Sequence, residues 1–360
     1  MTGEEKREGE GYNGEGKRTP LAATEEGLGA RFQAFHGWIT PLYFSSITSE
    51  VLSVRHSAGV FDVSHMGRLL VSGDDLPRIG ELFTNNVEST KKARMKYSYM
   101  LRPDGTIIDD LVSYGLEEGL LLVVNASALS ADLAWLDEHG VHAEDVTDKT
   151  AMIAVQGPSA SGIASSLGFH LGQWFSFEPI DGWESCWKTG IVSRSGYTGE
   201  DGFELIGDIE LVKDVYNRVL SLGASPAGLG ARDVLRIEAG YALSGVETAG
   251  RTPLDIGGGR FIKWQKSFIG RSAIEGKQER SLFGFVSDGG IPRAGFISDE
   301  GLITSGTFSP TLKRGIGLVV PFHEVPAPGT PITFTDPETQ RKLSGKVAAL
   351  PFVPWRYPMS

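Results

Sequence analysis

Glycine interrupts this chain so often that no long regular element can dominate it: 47 of the 360 residues are glycine and 18 are proline. Each marks a point where the backbone turns or approaches another segment closely. Apolar runs are correspondingly short, LLLVV at 120–124 being among the longest, and none nears the roughly 18 residues that a membrane helix needs. The pattern favours a β-rich architecture. With 40% apolar and 22% charged residues, the chain can build a sizeable core across two or three domains.

Charge and cysteine usage narrow the function. The 34 basic and 45 acidic residues leave a net charge of −11, which disfavours a general attraction to nucleic-acid phosphates. The single cysteine, Cys186, excludes an intramolecular disulfide, a cysteine zinc cluster and a CxxC redox pair, and it fits a reducing, cytoplasmic compartment. Seven histidines lie scattered without an HExxH or HxH pair, so no catalytic metal is expected. Residues 1–17 are rich in glutamate and glycine, lack the apolar core of a secretory signal, and read as a disordered tail.

Periodicity organises the rest. Ile47, Val51, Leu52 and Val54 recur at helical spacing behind serine caps and stop at Gly59. GRLLVSG at 67–73 alternates as a strand, and residues 74–87 predict a helix ending near Asn85. Three strands follow between Lys96 and Ser127, then a helix over 128–140. Residues 60–145 therefore have the order of a small split α/β sandwich. A buried strand at 150–156, two strands around the glycine-rich turn at 195–202, and helices at 158–167, 209–222 and 229–240 come next. Beyond about 280, short runs separated by turn residues read as a small all-β domain, and the aromatic LPFVPWRYPMS packs back onto the body.

The most unusual local feature is IIDDLVSY, in which Asp109 and Asp110 interrupt an apolar strand. Neighbours in a strand point to opposite faces, so one carboxylate must meet the interior or a cleft. That makes it a candidate general base or positioning group; the alternative is a solvated strand end. SGYTGEDGFEL at 195–205 concentrates glycines, Tyr197 and carboxylates, and 227–240 puts Arg232, Asp233, Arg236 and Glu238 on one helix. Neither is a phosphate loop. FDVSHMG at 61–67 contains Ser64 and His65 but no GxSxG elbow, so a structural histidine is favoured over a hydrolase.

Ten segments in order, among them FDVSHMG, KYSYML, DGTIIDDLVSY, LVVNAS, SRSGYTGEDGFEL, PAGLGARDVLRIEAG and LPFVP, resemble the aminomethyltransferase family, the T-proteins of the glycine cleavage system. The resemblance runs from about Arg18 to Tyr357. It implies an α+β, three-domain, cloverleaf-like fold around a central folate channel. Residues 18–59 and 146–278 would form a discontinuous first domain, 60–145 a ferredoxin-like domain, and 279–360 a C-terminal β-barrel or jelly roll. Tetrahydrofolate would be the co-substrate and a lipoylated H-protein the partner, with no metal. Asp110 matches the family's essential carboxylate, and Glu204, Arg232 and Tyr357 match its folate contacts. Tyr97, Tyr114 and Asn125 correspond to channel-lining positions, or to ordinary sheet core.

The match weakens over 241–266, where Ser244, Val246, Ala249 and Arg260 replace the family's tyrosine, histidine, aspartate and tryptophan. Arg260 retains the option of a cation–π contact, and Trp264 substitutes for the lost ring only if the backbone path shifts. This departure keeps open another tetrahydrofolate-dependent demethylase or one-carbon transferase acting on a small methylated donor. A folate-binding accessory protein and a scaffold with a dead site are the remaining alternatives.

Overall fold

A computed structural model describes residues 16–180 and 190–357. Cys186 and residues 1–15 of the expected tail lie outside the described residues. The chain begins with a three-stranded sheet in which β1 (Lys17–Arg18) runs parallel to β3 (Trp38–Tyr43), and β3 forms an antiparallel hairpin with β2 (Arg31–Phe35). Pro41 lies within β3, paired with Phe32 beside a register shift, where its missing amide proton disrupts the ladder least. α1 (Ala22–Gly27) fills the connection between β1 and β2. α2 (Ile47–His56) starts at Ser46, whose hydroxyl caps the amide of Ser49, and buries Val51 and Val54.

β4 (Gly59–Asp62) enters a six-stranded sheet that the chain then leaves to build a second one. The second sheet comprises β5 (Gly67–Ser72), β6 (Met95–Leu101), β7 (Ile107–Gly115), β8 (Gly119–Val124) and β9 (Ala143–Asp145), in the order β6-β7-β8-β5-β9. Its connections carry α3 (Leu76–Ile79) and α4 (Leu129–Glu138). With β6 set aside as an added edge strand, the spatial order β7-β8-β5-β9 is that of a split βαβ unit. The chain then returns to the six-stranded sheet through β10 (Thr150–Gln156), β11 (Phe177–Pro179), β12 (Gly190–Ser193), β13 (Gly202–Asp208) and β14 (Ser225–Pro226), ordered β11-β12-β13-β10-β4-β14.

α5 (Ala160–Ser166) and α6 (Ile209–Ser221) cover that sheet. α6 buries Val212, Val215, Tyr216 and Val219 at i, i+3, i+4 and i+7, and each buried valine contributes about 1.5–3 kcal/mol. α7 (Leu229–Glu238) ends at Gly240, whose φ of 74° is the left-handed conformation that closes helices. Its charges are largely structural. Buried Arg236 donates to Glu247 at 3.1 Å and to Ser305 at 2.7 Å, while Glu238 accepts from Arg55 at 2.8 Å and from Ser309 at 2.5 Å. Three of the four charged residues expected together on this helix thus take part in ion pairs that fix its position, Asp233 pairing with Arg236 at 2.8 Å.

After α8 (Arg271–Ile274), a last sheet joins β15 (Phe283–Ser287), β16 (Gly301–Ser309), β17 (Arg314–Pro321), β18 (Pro331–Thr335) and β19 (Lys342–Ala348) in the order β16-β17-β15-β19-β18. The expected C-terminal barrel or jelly roll is not closed. Among the described residues β16 and β18 are the two edges, and Ile297 alone bridges to both, at Leu302 and Thr335. A single residue provides too few hydrogen bonds for a ladder.

The helix expected over 74–87 also fails to run through. A 3-10 turn at Gly73–Asp75, the four-residue α3 and another 3-10 turn at Gly80–Leu82 take its place. Pro77 and Gly80 weaken the helix, and pairing with β6 offers a competing set of bonds: Phe83 bridges Met100, and the Thr84 amide donates to Tyr99 O at 3.0 Å. No helix among the described residues is long and apolar enough to cross a membrane.

Candidate active site

A cavity of about 2810 Å³ lies where the sheets and α7 converge, and all seven residues singled out from the sequence line it: Tyr97, Asp110, Tyr114, Asn125, Glu204, Arg232 and Tyr357. Strand alternation sorts the aspartate pair. Asp109 shares the buried face of β7 with Ile107 and Leu111, while Asp110 shares the half-buried face with Ile108 and Val112. Neither carboxylate therefore faces bulk solvent; Asp109 points inward and Asp110 meets the cavity.

The two have different partners. Asp109 accepts from the Asn125 amide at 3.0 Å, from Asn125 Nδ2 at 2.9 Å and from Ser244 Oγ at 2.7 Å. Asp110 Oδ2 accepts from the Tyr97 hydroxyl at 2.8 Å, and Asn125 Nδ2 approaches Oδ1 only at 3.4 Å. Burial, and then the charge of Asp109, push the Asp110 carboxyl up to about 7. Burial holds the Tyr97 phenol well above its ordinary value, so it serves as a neutral donor.

The opposite wall is built on β13 and α7. Glu204 Oε2 accepts from Ser195 Oγ at 2.5 Å, and the Arg232 guanidinium acts on it as a nearby positive charge. Arg232 lies over the Tyr197 ring at 5.0 Å, and its buried Nη1 has no hydrogen-bond partner, a donor left over for a ligand. Tyr114 is almost fully buried and packs on Phe177 at 5.5 Å, so it serves core and cavity together. At the cavity edge Tyr357 stacks on Trp174 at 4.0 Å and 3° and shares a 2.8 Å hydrogen bond with the Tyr241 hydroxyl. Stacking continues through Trp355, Tyr241 and Tyr197.

Sequence reasoning missed Trp174, Tyr241, Trp355 and Ser195. Four distant segments bring the aromatic stack together, and no local spacing announces it. Ser64 proves structural, its hydroxyl bonding both to the Met152 amide at 3.0 Å and to its carbonyl at 3.2 Å. His65 is buried at the cavity wall and driven down to about 3 by burial, hence neutral. The departures are local: Ser244 and Val246 line the cavity, Arg260 lies 4.7 Å over Phe261 and 5.9 Å over Trp355, and Trp264 packs near Phe268 away from the lining. Among the described residues no group of three or more His, Cys, Asp or Glu side chains is arranged to hold a metal ion.

Comparison with known proteins identifies the family. Residues 21–266 match the model of the GCVT N-terminal domain. An aminomethyltransferase of Halothermothrix orenii is 39% identical over 94% of this chain and 100% of its own length, and that of Bacillus subtilis is 38% identical over 93% and 99%. The crystal structure of the glycine cleavage system aminomethyltransferase T from Bartonella henselae superposes with a TM-score of 0.85 at 29% identity, covering 95% of this chain and 99% of that one. The chain belongs to the GCVT aminomethyltransferase family.

Proposed function

We propose that the chain is the aminomethyltransferase of the glycine cleavage system. It moves the one-carbon unit from an aminomethyl-dihydrolipoyl arm, carried by a partner H-protein, to tetrahydrofolate, and releases ammonia, methylenetetrahydrofolate and dihydrolipoyl H-protein. Kinship over nearly the whole length supports the activity, and the cavity chemistry supports the folate. Within the fold we assign 18–59 and 146–278 to a discontinuous first domain, 60–145 to a ferredoxin-like domain and 279–360 to a C-terminal domain, arranged cloverleaf-like around a folate channel. The expected compartment is the cytoplasm.

The observation that carries the reading is Asp110, half-buried over the cavity with the Asp109 charge behind it. In the reaction two carbon–nitrogen bonds form to folate nitrogens, while one carbon–sulfur and one carbon–nitrogen bond break. The two folate N–H protons end on ammonia and on sulfur. A carboxyl that accepts and returns a proton near neutrality suits this exchange. Tyr97 occupies Asp110 Oδ2 and leaves Oδ1 with capacity for a substrate N–H. Glu204 offers a carboxylate to the adjacent N–H donors of a pterin, and the spare Arg232 donor suits an anionic or carbonyl oxygen of the same ligand. Tyr97, Tyr114, Asn125 and Tyr357 shape the space for its rings.

The test is an assay of the purified protein with aminomethylated H-protein, with and without tetrahydrofolate. Ammonia and methylenetetrahydrofolate should appear together only when both substrates are present. Turnover of free small methylated donors in place of the H-protein would instead identify a folate-dependent demethylase. Saturable quenching of tryptophan fluorescence by tetrahydrofolate is expected in either case, and its absence would remove the folate reading.

A further inference from the structure

Behind the aspartate pair lies a third carboxyl that the mechanism does not use. Asn125 accepts the amides of Ala128 and Leu129 at 3.0 and 3.1 Å, so the residue that donates twice to Asp109 also starts the turn leading into α4. On α4 sits Asp132, fully buried, with neither carboxyl oxygen hydrogen-bonded. An ionised carboxylate there would lack every donor that burial demands. The group it faces is the Asp109 carboxyl, and the two meet in hydrogen-bonding contact once one of them carries a proton. Asp109, in contrast, already receives three donors from Asn125 and Ser244. Of the two facing acids, only Asp132 needs a proton.

We infer that Asp132 is a positioning residue for the aspartate pair: a buried carboxylic acid that directs its proton to Asp109, keeps that neighbour ionised, and so maintains a fixed negative charge behind Asp110. Burial, and next the charge of Asp109, drive Asp132 up to about 10; burial also raises Asp109, and the bonds from Asn125 and Ser244 and contact with Asp132 act against that rise. The titratable groups acting on Asp132 are Asp109 and Asp110 on β7, while Glu144 and Asp145 on β9, the other strand packed against α4, are exposed to solvent. Those facing Asp110 are Asp109, Asp132 and the phenols of Tyr97, Tyr99 and Tyr197, the three phenols being driven to high proton affinity by burial and therefore neutral. The inference rests on the reading of Asp110 as the proton-handling group, and its first test does not.

That test is infrared spectroscopy of the purified full-length chain. A carboxylic-acid carbonyl band of the parent at pH 8 should be lost in Asp132→Asn and so appear in the parent-minus-variant difference spectrum; a difference spectrum without that band would overturn the inference whatever the protein catalyses. The second test is the pH profile of turnover. Asp132→Asn still offers Asp109 a donor, so its profile should match the parent. Asp132→Leu removes the donor, Asp109 takes up the proton, and Asp110, relieved of a like charge, should titrate lower by about one pH unit. An unshifted acid limb in a folded Asp132→Leu protein, or an equal shift in both variants, would overturn it. If the leucine variant fails to fold, the infrared result on the asparagine variant still decides.

Discussion

The two walls of the cavity each carry one carboxylate, and the contrast lies in what stands beside it. Asp110 on β7 has a second carboxylate, Asp109, as its nearest charge, whereas Glu204 on β13 has the Arg232 guanidinium. A like charge raises proton affinity, so one wall is built to exchange a proton, while the paired charges of the other are built to hold a ligand. The sharpest way to break this division is Asp110→Asn. It keeps size and hydrogen-bonding capacity but cannot cycle a proton, so turnover with aminomethylated H-protein should fall by roughly a hundredfold or more. Tetrahydrofolate affinity, read by tryptophan fluorescence, should stay nearly unchanged. A fully active asparagine variant would remove Asp110 from the chemistry.

The complementary change, Arg232→Ala, should weaken tetrahydrofolate binding by about ten- to a hundredfold, the size of a lost charged hydrogen bond, while turnover at saturation changes much less. If both variants damaged turnover and binding alike, the walls would not be specialised.

How much of this was legible in the sequence follows the range of the interactions. The aspartate pair stood out because strand periodicity is a two-residue signal, and α2, α6 and α7 because their apolar spacing is local. The helix over 74–87 was misjudged because a long-range pairing of Phe83 and Thr84 with β6 competes for its backbone. The β2–β3 hairpin went unnoticed because Pro41 reads locally as a strand breaker. Ser244 illustrates the limit best. As a sequence departure it looked like a lost aromatic, yet its hydroxyl joins a segment 135 residues from Asp109 to the aspartate pair.

pH distinguishes the walls more gently. If Asp110 must be ionised to accept a proton, turnover should rise through pH 7, and this limb should be absent from the residual activity of Asp110→Asn. Stability should move the other way. The folded-state proton affinity of Asp110 is raised from 3.8 to about 7, so its contribution is fully present below pH 3.8 and is lost as pH rises through 7. The melting temperature should therefore fall by a few degrees between pH 6 and 8, and more shallowly in Asp110→Asn. Glu25 and Asp132, both raised to about 10, add their loss at higher pH. Ser244→Ala should cost turnover about fivefold, near the 1 kcal/mol of one hydrogen bond.

The smallest expected effect lies at the cavity edge, at Arg260. Its guanidinium spans Phe261 at 4.7 Å and Trp355 at 5.9 Å, and Trp355 belongs to the aromatic stack that runs to Tyr357. Arg260 is exposed, so water competes for its charge and the contact with each ring is worth about 0.5–1 kcal/mol. Arg260→Ala should raise the KM for tetrahydrofolate by less than about fivefold and leave kcat unaltered. Arg260→Trp should preserve the KM, because a ring supplies the same stacking surface without the charge. A large fall in kcat for either variant would mean that this edge takes part in the proton chemistry of the Asp110 wall, and the separation between binding and exchange would not hold.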